Sequence, residues 1–594
     1  MLDCPIDGVH GMGVGRVRIE RHRVGDAAVR RATEDFAEQV AGEVHRMQDV
    51  APGRSWRRVA DSFLDYLGAR SLDNPQLAGK DARIACESAA AAAVGALALS
   101  VGRAGHPHVF IEYTGTGVPY GGGRAAEKPD GVAARSWLDP FFLAFVARLS
   151  DEHRQLFVEA APTLQGAERR PDVVLPHALL AYVYGESEQA GGLSADARVA
   201  LIDALLEGLG DGTDSPGHRA ALVTLRAVAA GDREGFQRAL AEQLERYRQR
   251  YVGPVAGDPA PRTLLPLDAI ALAAMAERWN GWPVAIESDY LPAALVEGFR
   301  LPGPRVLGFG RLKRSEAALA VGPVVVDRPA HPYAGQVMVH QEGAASELAR
   351  FRDPDQKPVH VTRALTELMR GQVTAFLERS ALDPDGRDPR QWETLRTGAE
   401  AGGAAFLLAR GAPGTEHEVT VAGTTRLLPA CAGSYGPGVG HWKQAVALAL
   451  ITGARRQLAD CVLVTPEFFT VGCYFGPVDA YGAALHDYLR GVDPVPAVTK
   501  AFTVCAEHER GLYLAPPVTL LSQLVEGDRE GFALALIDAL EAHREHYTVG
   551  ELPVEPDALL DLDILALACH AHRIGWRVPV SSPYLPAGLL GRAG

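Results

Sequence analysis

Apolar residues recur in two stretches of the chain with the spacing of one helical face. In the first stretch the intervals of four, four, three and four residues separate Phe236, Leu240, Leu244, Tyr247 and Tyr251. In the second stretch the same intervals separate Phe532, Leu536, Leu540, His543 and Tyr547. This spacing places each set of side chains along one side of an α-helix. The sequence therefore predicts two equivalent amphipathic helices.

The same six residues, GDREGF, begin both stretches, at Gly231–Phe236 and at Gly527–Phe532. A helical pattern precedes each copy, and the glycine suits the left-handed position that follows a helix C-terminus, where a Cβ atom would clash. The aspartate is a good N-cap, and the glutamate places negative charge at the positive end of the next helix. Each copy predicts a tight corner between two helices.

Further matches lie in the same order on both sides of this repeated phrase. Downstream, Leu267–Trp282 matches Leu562–Trp576, and Ser288–Phe299 matches Ser582–Leu590. The upstream matches are Trp137 with Trp442, His153–Phe157 with Arg455–Cys461, Gly95–Gly102 with Gly403–Arg410, and the strand-like Val17–His22 with Val337–His340. The sequence predicts a tandem duplication, with modules at residues 1–300 and 335–594. Residues 301–334, rich in Pro and Gly, are expected to form a partly extended linker.

Most of the remaining pattern is helical. The other amphipathic candidates are Ala28–Met47, Trp56–Leu67, Trp137–Leu149, Asp196–Leu209, Val361–Leu382, Trp442–Leu458 and Val498–Glu509. Strand-like alternation is rare, so the predicted fold class is all-α, with two homologous modules built from antiparallel helix hairpins.

Composition limits the classes of function. A net charge of −14 disfavours direct binding to a nucleic-acid backbone, which needs clustered Lys and Arg. The seven cysteines are sparse and form no C-x-x-C pair, which favours buried thiols in a reducing compartment over disulfides or a zinc site. No apolar leader is seen, and the longest uncharged stretch, Ser88–Gly102, is too short to span a bilayer. We expect a cytoplasmic protein that does not bind membranes.

No familiar catalytic motif is present in the sequence: it has no Walker A loop, no G-x-S-x-G elbow and no H-E-x-x-H pair. Three glycine clusters, Gly11–Gly15, Gly115–Gly123 and Gly433–Gly440, lack the strand–turn–helix pattern of a phosphate loop and are interpreted as loops. The pair Asp289–Tyr290 is interpreted as structural, with the tyrosine ring packed in the core. The sequence assigns no catalytic, cofactor-binding or metal-binding residue, and it leaves partner-binding residues unassigned.

One group of residues in the second module has the types that bind metals. It consists of His543, His546, Cys569, His570 and His572. Their counterparts in the first module include Tyr247, Arg250, Met275 and Glu277, so the duplication has not preserved the group. Solvated helix histidines are commoner than metal ligands at this spacing, and no metal or other cofactor is expected.

The terminal part of each module resembles the immunity protein 49 family of bacterial polymorphic toxin systems. In the first module the resembling residues are Gly231, Asp232, Phe236, Gly281, Trp282 and Ser288–Pro292. In the second they are Gly527, Asp528, Phe532, Gly575, Trp576, Ser582 and Tyr584–Pro586. The second copy departs from the first at Pro583, where the first has Asp289. The resemblance implies an all-α protein that binds and neutralises a cognate toxin.

Three kinds of function follow from these observations. The first is a stoichiometric toxin-binding protein that blocks its toxin, in which the two modules form an internal pseudo-dimer. The alternative is an enzyme or pseudo-enzyme scaffold, with a pocket in the second module or between the modules that uses the histidine and cysteine group. A helical adaptor without a toxin partner is a third reading.

Overall fold

The structure, a computed structural model, describes these residues: 17–47, 53–101, 108–119, 132–165, 171–186, 192–209, 216–252, 258–299, 303–313, 319, 322–331, 338–355, 358–431, 437–469, 476–508, 511 and 513–592. Contacts between residues divide the chain into two compact units, Met1–Leu301 and Pro302–Gly594. In both units most described residues are α-helical and the strands are short, which confirms the all-α fold class.

The first unit contains helices connected by short strand pairs. Its helices are α1 (Asp26–Thr33), α2 (Phe36–Arg46), α3 (Gly53–Asp73), α4 (Lys80–Ser100), α5 (Ala134–Val146), α6 (Arg154–Ala160), α7 (Pro171–Tyr184), α8 (Ala195–Glu207), α9 (Pro216–Ala229), α10 (Arg233–Val252), α11 (Leu267–Asn280) and α12 (Ala293–Val296). Its strands are β1 (His108–Ile111), β2 (Thr116–Pro119), β3 (Val132–Ala133) and β4 (Leu164–Gln165). Strands β1 and β2 pair in antiparallel, and β3 and β4 pair in parallel.

The second unit is likewise made mainly of helices, with a few short strands. Its helices are α13 (Met338–Arg352), α14 (Pro358–Leu382), α15 (Pro389–Arg410), α16 (Val439–Thr452), α17 (Arg455–Val462), α18 (Pro477–Arg490), α19 (Val495–Glu507), α20 (Val518–Glu526), α21 (Arg529–His546), α22 (Leu562–Arg573) and α23 (Ala587–Arg592). Its strands are β5 (Val324–Val325), β6 (Glu416–Val421), β7 (Thr424–Pro429) and β8 (Val580–Ser581).

The repeated GDREGF phrase forms the predicted helix corner in both units. Gly231 and Gly527 follow a helix at φ +70° and +74°, in the left-handed region that favours glycine. The next residue caps the following helix: Asp232 Oδ1 accepts the Gly235 N–H at 2.8 Å, and Asp528 Oδ1 accepts the Gly531 N–H at 2.9 Å. The predicted helix corner is therefore confirmed, including the aspartate N-cap.

Two predicted helices are each divided in two. Ala28–Met47 is interrupted at Asp35, which adopts a left-handed conformation between α1 and α2. Trp442–Leu458 is interrupted at Gly453, at φ +69°, between α16 and α17. In both cases the apolar spacing continues across the break, and this spacing alone predicts one continuous helix.

The predicted strand match between Val17–His22 and Val337–His340 is wrong in its second member. Val337 lies outside the described residues, and α13 begins at Met338. The strand of the second unit is instead β5, which pairs in parallel with β8. The corresponding contact in the first unit joins the backbones of Ile19 and Glu287. The true sequence match is VRIERH with VVVDRP, in which alternating β-branched residues precede an acidic residue and an arginine.

Residues 301–334, expected to form a linker, fall in the second unit apart from Leu301. Within their described part, Arg305 Nη1 binds Asp538 Oδ1 and Glu541 Oε2, both at 2.7 Å. Together with β5, these ion pairs attach the segment to the second unit.

Helix α4 lies in the core of the first unit. Among the described residues it is the one helix long and apolar enough to cross a membrane, but 72% of its apolar window is buried in the fold. Ala85, Ala89 and Ala90 are fully buried, and the small side chains allow neighbouring helices to approach closely. This burial is typical of a core helix.

Candidate partner-binding surfaces

A partly buried arginine joins the N-terminal segment of each unit to a long helix. Arg21 Nη1 donates to Ser71 Oγ at 2.7 Å, and Nη2 donates to the Ser71 carbonyl at 3.1 Å. Arg328 makes the same two contacts with Ser380, at 3.2 and 2.7 Å. Burial lowers the pKa of both arginines from the ordinary value. The sequence pattern misses this pair because it places the second strand at the wrong residues.

A second duplicated arginine covers the C-terminal end of a core helix. Arg278 donates five hydrogen bonds, at 2.7 to 3.2 Å, to the carbonyls of Phe145, Val146, Leu295 and Val296. Its counterpart Arg573 donates to the Ile451 carbonyl at 3.2 Å. Carbonyls at a helix C-terminus have no partner within the helix, so the arginine satisfies them and complements the helix dipole.

Two further duplicated pairs, Tyr290 with Tyr584 and Trp137 with Trp442, are core contacts. Tyr290 and Tyr584 are almost fully buried, which confirms the structural reading of the first, whereas the Asp289 side chain is exposed. Trp137 and Trp442 are fully buried, and their indole N–H groups donate to the carbonyls of Phe157 at 3.1 Å and Cys461 at 2.9 Å. What the duplication preserved is therefore a set of packing and capping contacts.

The histidine and cysteine group of the second unit is not assembled into one site. Among the described residues, no three His, Cys, Asp or Glu side chains are arranged to hold a metal ion. His543 is buried with its ring edge-on to Tyr584, whereas His570 Nε2 lies 3.0 Å from the Tyr488 hydroxyl. Burial lowers the pKa of both histidines to about 4, so they are neutral at physiological pH.

The other three members of the group are buried or half-buried. His546 is buried, and His572 is half-buried on α22. Cys569 is fully buried, and burial raises the pKa of its thiol to about 12, so the reactive thiolate form is suppressed.

The glycine clusters are described only in part. Gly11–Gly15 lies outside the described residues, as do 120–123 and 432–436. Gly115 occupies a left-handed turn between β1 and β2, and Gly438 is the N-cap residue of α16. Both glycines therefore have structural roles, one in a turn and the other at a helix N-terminus.

The first unit has a groove between α3, α4 and α5. One cavity of about 500 Å³ is lined by apolar residues, among them Leu64, Leu97 and Leu143, and by charged residues. An adjoining cavity of about 460 Å³ shares Arg57 and Asp61 with it. The groove thus combines apolar and charged residues, as expected of a surface that receives another molecule.

Ion pairs within the groove neutralise most of its charge. Asp139 Oδ2 lies 3.0 Å from both Arg57 Nη2 and Arg135 Nε, and Asp65 pairs with Arg262. Burial raises the pKa of Asp139 and of Asp65, and the neighbouring arginines partly offset this effect. The groove therefore presents paired charges of both signs.

The corresponding place in the second unit is filled. Counting back along the helices from Ser71 and Ser380, Ala60 corresponds to Met369 and Arg57 to Thr366. Met369 is buried, and a Cβ atom at Gly402 would lie 2.8 Å from its sulfur, so the side chain packs directly on α15. The charged groove of the first unit is thus not a duplicated feature.

The second unit has a different groove, bounded by β6, α15 and α17. Its cavity of about 260 Å³ is lined by Glu418, Val419 and Thr420 of the strand and by residues of the two helices. Neither groove has a local sequence signature, because each is lined by residues from elements far apart in the chain. Sequence reasoning therefore did not find them.

Comparison with known proteins gives one match. The family model described as immunity protein 49 matches residues 72–295 and, separately, residues 383–589. The first match falls within the first unit and the second within the second unit. No curated protein and no solved structure matches the chain.

Proposed function

Because the chain belongs to the immunity protein 49 family in both of its units, we propose that it neutralises a protein toxin by binding it stoichiometrically. In this proposal the chain covers a functional surface of the toxin and remains bound. The alternative of chemical inactivation would instead require a catalytic site.

The observation that carries the proposal is the match of the family model to each unit separately. The residues that the units share, such as Arg278 and Arg573 or Trp137 and Trp442, are packing and capping residues. The surface grooves differ between the units. A binding protein whose fold is retained while its recognition surfaces diverge has this distribution of shared and differing residues.

The geometry gives less support to the enzyme reading. Its candidate residues His543 and His570 contact different neighbours, and burial suppresses the charged form of each. The partner in our proposal is a toxin of the bacterial polymorphic class and not a nucleic acid, in keeping with the net charge of −14. We place the action in the cytoplasm, where buried thiols such as Cys461 stay reduced.

Co-expression with candidate toxins encoded by neighbouring genes tests the proposal. The full chain is expected to restore growth of cells that produce the toxin, and to co-purify with it in a fixed molar ratio. A folded, abundant chain that neither protects the cells nor retains the toxin would overturn the proposal.

Variants that copy residues of the first unit separate binding from catalysis. His543→Tyr and His570→Met introduce the residues that the first unit has at these positions, Tyr247 and Met275. Under the binding proposal both variants protect cells as the wild type does. Loss of protection by a variant that still folds and binds the toxin would favour the enzyme reading.

A further inference from the structure

The first unit has a cavity at a place that the second unit fills with a side chain of its own. Ala60 of α3 lines this cavity, which has a volume of about 500 Å³. The residue of α14 that corresponds to Ala60, counted from the matched serines, is Met369. Met369 is only 1% exposed. The duplication therefore presents one helix junction in two versions, with and without an apolar side chain inserted.

The neighbours of Met369 place its side chain at the junction of three helices. A Cβ atom added at Gly402 of α15 would lie 2.8 Å from the Met369 sulfur and 2.8 Å from the Ala445 Cβ atom of α16. Ala445 corresponds to Pro140, because each lies three residues after the matched tryptophan of its helix. Pro140 lines the first-unit cavity. Met369 therefore occupies the place in the second unit that is open in the first.

The apolar residues lie deeper in the cavity than the charged ones. Leu64, Leu97 and Leu143 are 7%, 1% and 2% exposed. The side chains of Arg57 and Asp139 are 35% and 30% exposed, so they lie nearer the opening. An apolar side chain that enters the cavity is therefore transferred from water to an apolar environment, which is favourable.

The charged groups near the opening already have partners. Arg57 Nη1 donates to Ser136 Oγ at 2.8 Å, and Nη2 donates to Asp139 Oδ2 at 3.0 Å. Asp61 Oδ2 lies 3.9 Å from Arg262 Nη2. A charged group that entered the cavity would lose its hydration without gaining an unpaired counter-charge, and this is costly. The cavity therefore selects a neutral, apolar side chain.

The adjoining cavity favours a polypeptide as the source of this side chain. It is lined by charged and polar residues, and it shares Arg57 and Asp61 with the apolar cavity. An apolar pocket that continues into polar surface is typical of protein interfaces, in which a few buried side chains act as anchors and polar groups surround them.

We infer that this cavity of the first unit receives an aliphatic side chain of the toxin, of about the size and shape of methionine. The inference rests on the proposed function and specifies its contact surface. The toxin side chain takes the place in the first unit that Met369 takes in the second. The second unit does not offer the same pocket, because its own side chain fills the place.

Ala60→Met in the full chain tests the inference, because it gives the first unit the side chain that the second unit has there. The cavity provides room for the methionine, so the variant is expected to fold. Toxin binding, measured by surface plasmon resonance, is expected to weaken about tenfold or more. The matched control is Ala204→Met, the same exchange at an exposed position of α8. The control is expected to bind within about twofold of the wild type.

A second variant obstructs the cavity without changing the packing of the core. Ser100 lines the cavity and is exposed at the C-terminal end of α4. Ser100→Trp is expected to weaken toxin binding by a similar factor, whereas Ser100→Ala is expected to bind as the wild type does. Circular dichroism and thermal unfolding show which variants are folded. If Ala60→Met does not fold, Ser100→Trp alone decides.

The outcomes separate this inference from the proposed function. A folded Ala60→Met or Ser100→Trp chain that binds the toxin as tightly as the wild type overturns the inference, and the proposed function stands. If the wild-type chain does not bind the toxin, both are overturned.

Discussion

The buried His543 makes the stability of the second unit sensitive to acid. Its ring contacts Tyr584 edge-on with centroids 5.1 Å apart, and Tyr547 with centroids 4.7 Å apart. In the first unit Tyr247 occupies the same place, at 5.7 Å from Tyr290. Because the surroundings already accept a tyrosine in one copy, His543→Tyr is expected to fold and to remove one titrating group.

The size of the effect follows from the pKa of the imidazole. Burial lowers the pKa of His543 from the ordinary 6.5 to about 4. Because the imidazole protonates more readily in the unfolded chain than in the folded one, the contribution of neutral His543 to stability is fully present above pH 6.5 and is lost as the pH falls towards 4. At about 1.4 kcal/mol per pH unit, the wild-type second unit loses about 3 kcal/mol from this residue over that window. The His543→Tyr variant has no imidazole at this position and does not lose this part of the stability.

Methionine oxidation in increasing urea measures each unit separately. Met369 is buried in the second unit and Met275 in the first, so the protection of each sulfur from peroxide reports the folding of its own unit. His543→Tyr is expected to reduce the acid loss seen at Met369 and to leave the transition seen at Met275 unchanged. If wild type and variant lose the same stability at Met369 between pH 7 and pH 4.5, the reasoning from burial is refuted.

The same assay checks three further expectations. Arg278→Met is expected to lower the free energy of unfolding of the first unit by about 3 kcal/mol, because several carbonyls lose their hydrogen-bond donor. Arg573→Met removes one such bond and is expected to lower the free energy of unfolding of the second unit by about 1 kcal/mol. Equal losses in the two units would contradict this. Gly527→Ala places a Cβ atom at φ +74° and is expected to lower the free energy of unfolding of the second unit by about 1 kcal/mol. An unchanged free energy of unfolding would argue against the left-handed corner. Lys443→Met leaves the buried Asp563 carboxylate without its partner and is expected to cost about 3–5 kcal/mol at neutral pH. The loss should shrink as the pH falls, because burial raises the pKa of Asp563 to about 6 even with Lys443 beside it, removal of Lys443 raises this pKa further, and protonation removes the charge; a loss independent of pH would contradict this.

The helix corners could be predicted because their physics is local. A glycine at Gly231 or Gly527 and an aspartate directly after it carry the left-handed turn and the cap within a few residues. The strand of the second unit was misplaced for the opposite reason. Val324–Val325 is short, and its pairing with Val580–Ser581 joins residues far apart in the chain, so apolar letters near Val337 gave an equally good local match.

The surface grooves could not be predicted in the same way. Leu64, Leu97 and Leu143 meet in the first-unit groove because three helices pack together, and each alone has the pattern of an ordinary core residue. Glu418 likewise reads as one exposed strand residue until α15 and α17 are placed beside it. Local pattern predicted the duplicated fold, whereas packing between distant elements created the grooves.

Titration of toxin activity with the purified full chain tests the central claim most directly. Stoichiometric binding predicts that activity falls linearly with added chain, reaches its minimum at a fixed molar equivalence, and does not fall further with longer incubation. Complete inactivation by a small fraction of an equivalent, progressing with time, would show turnover and contradict the account.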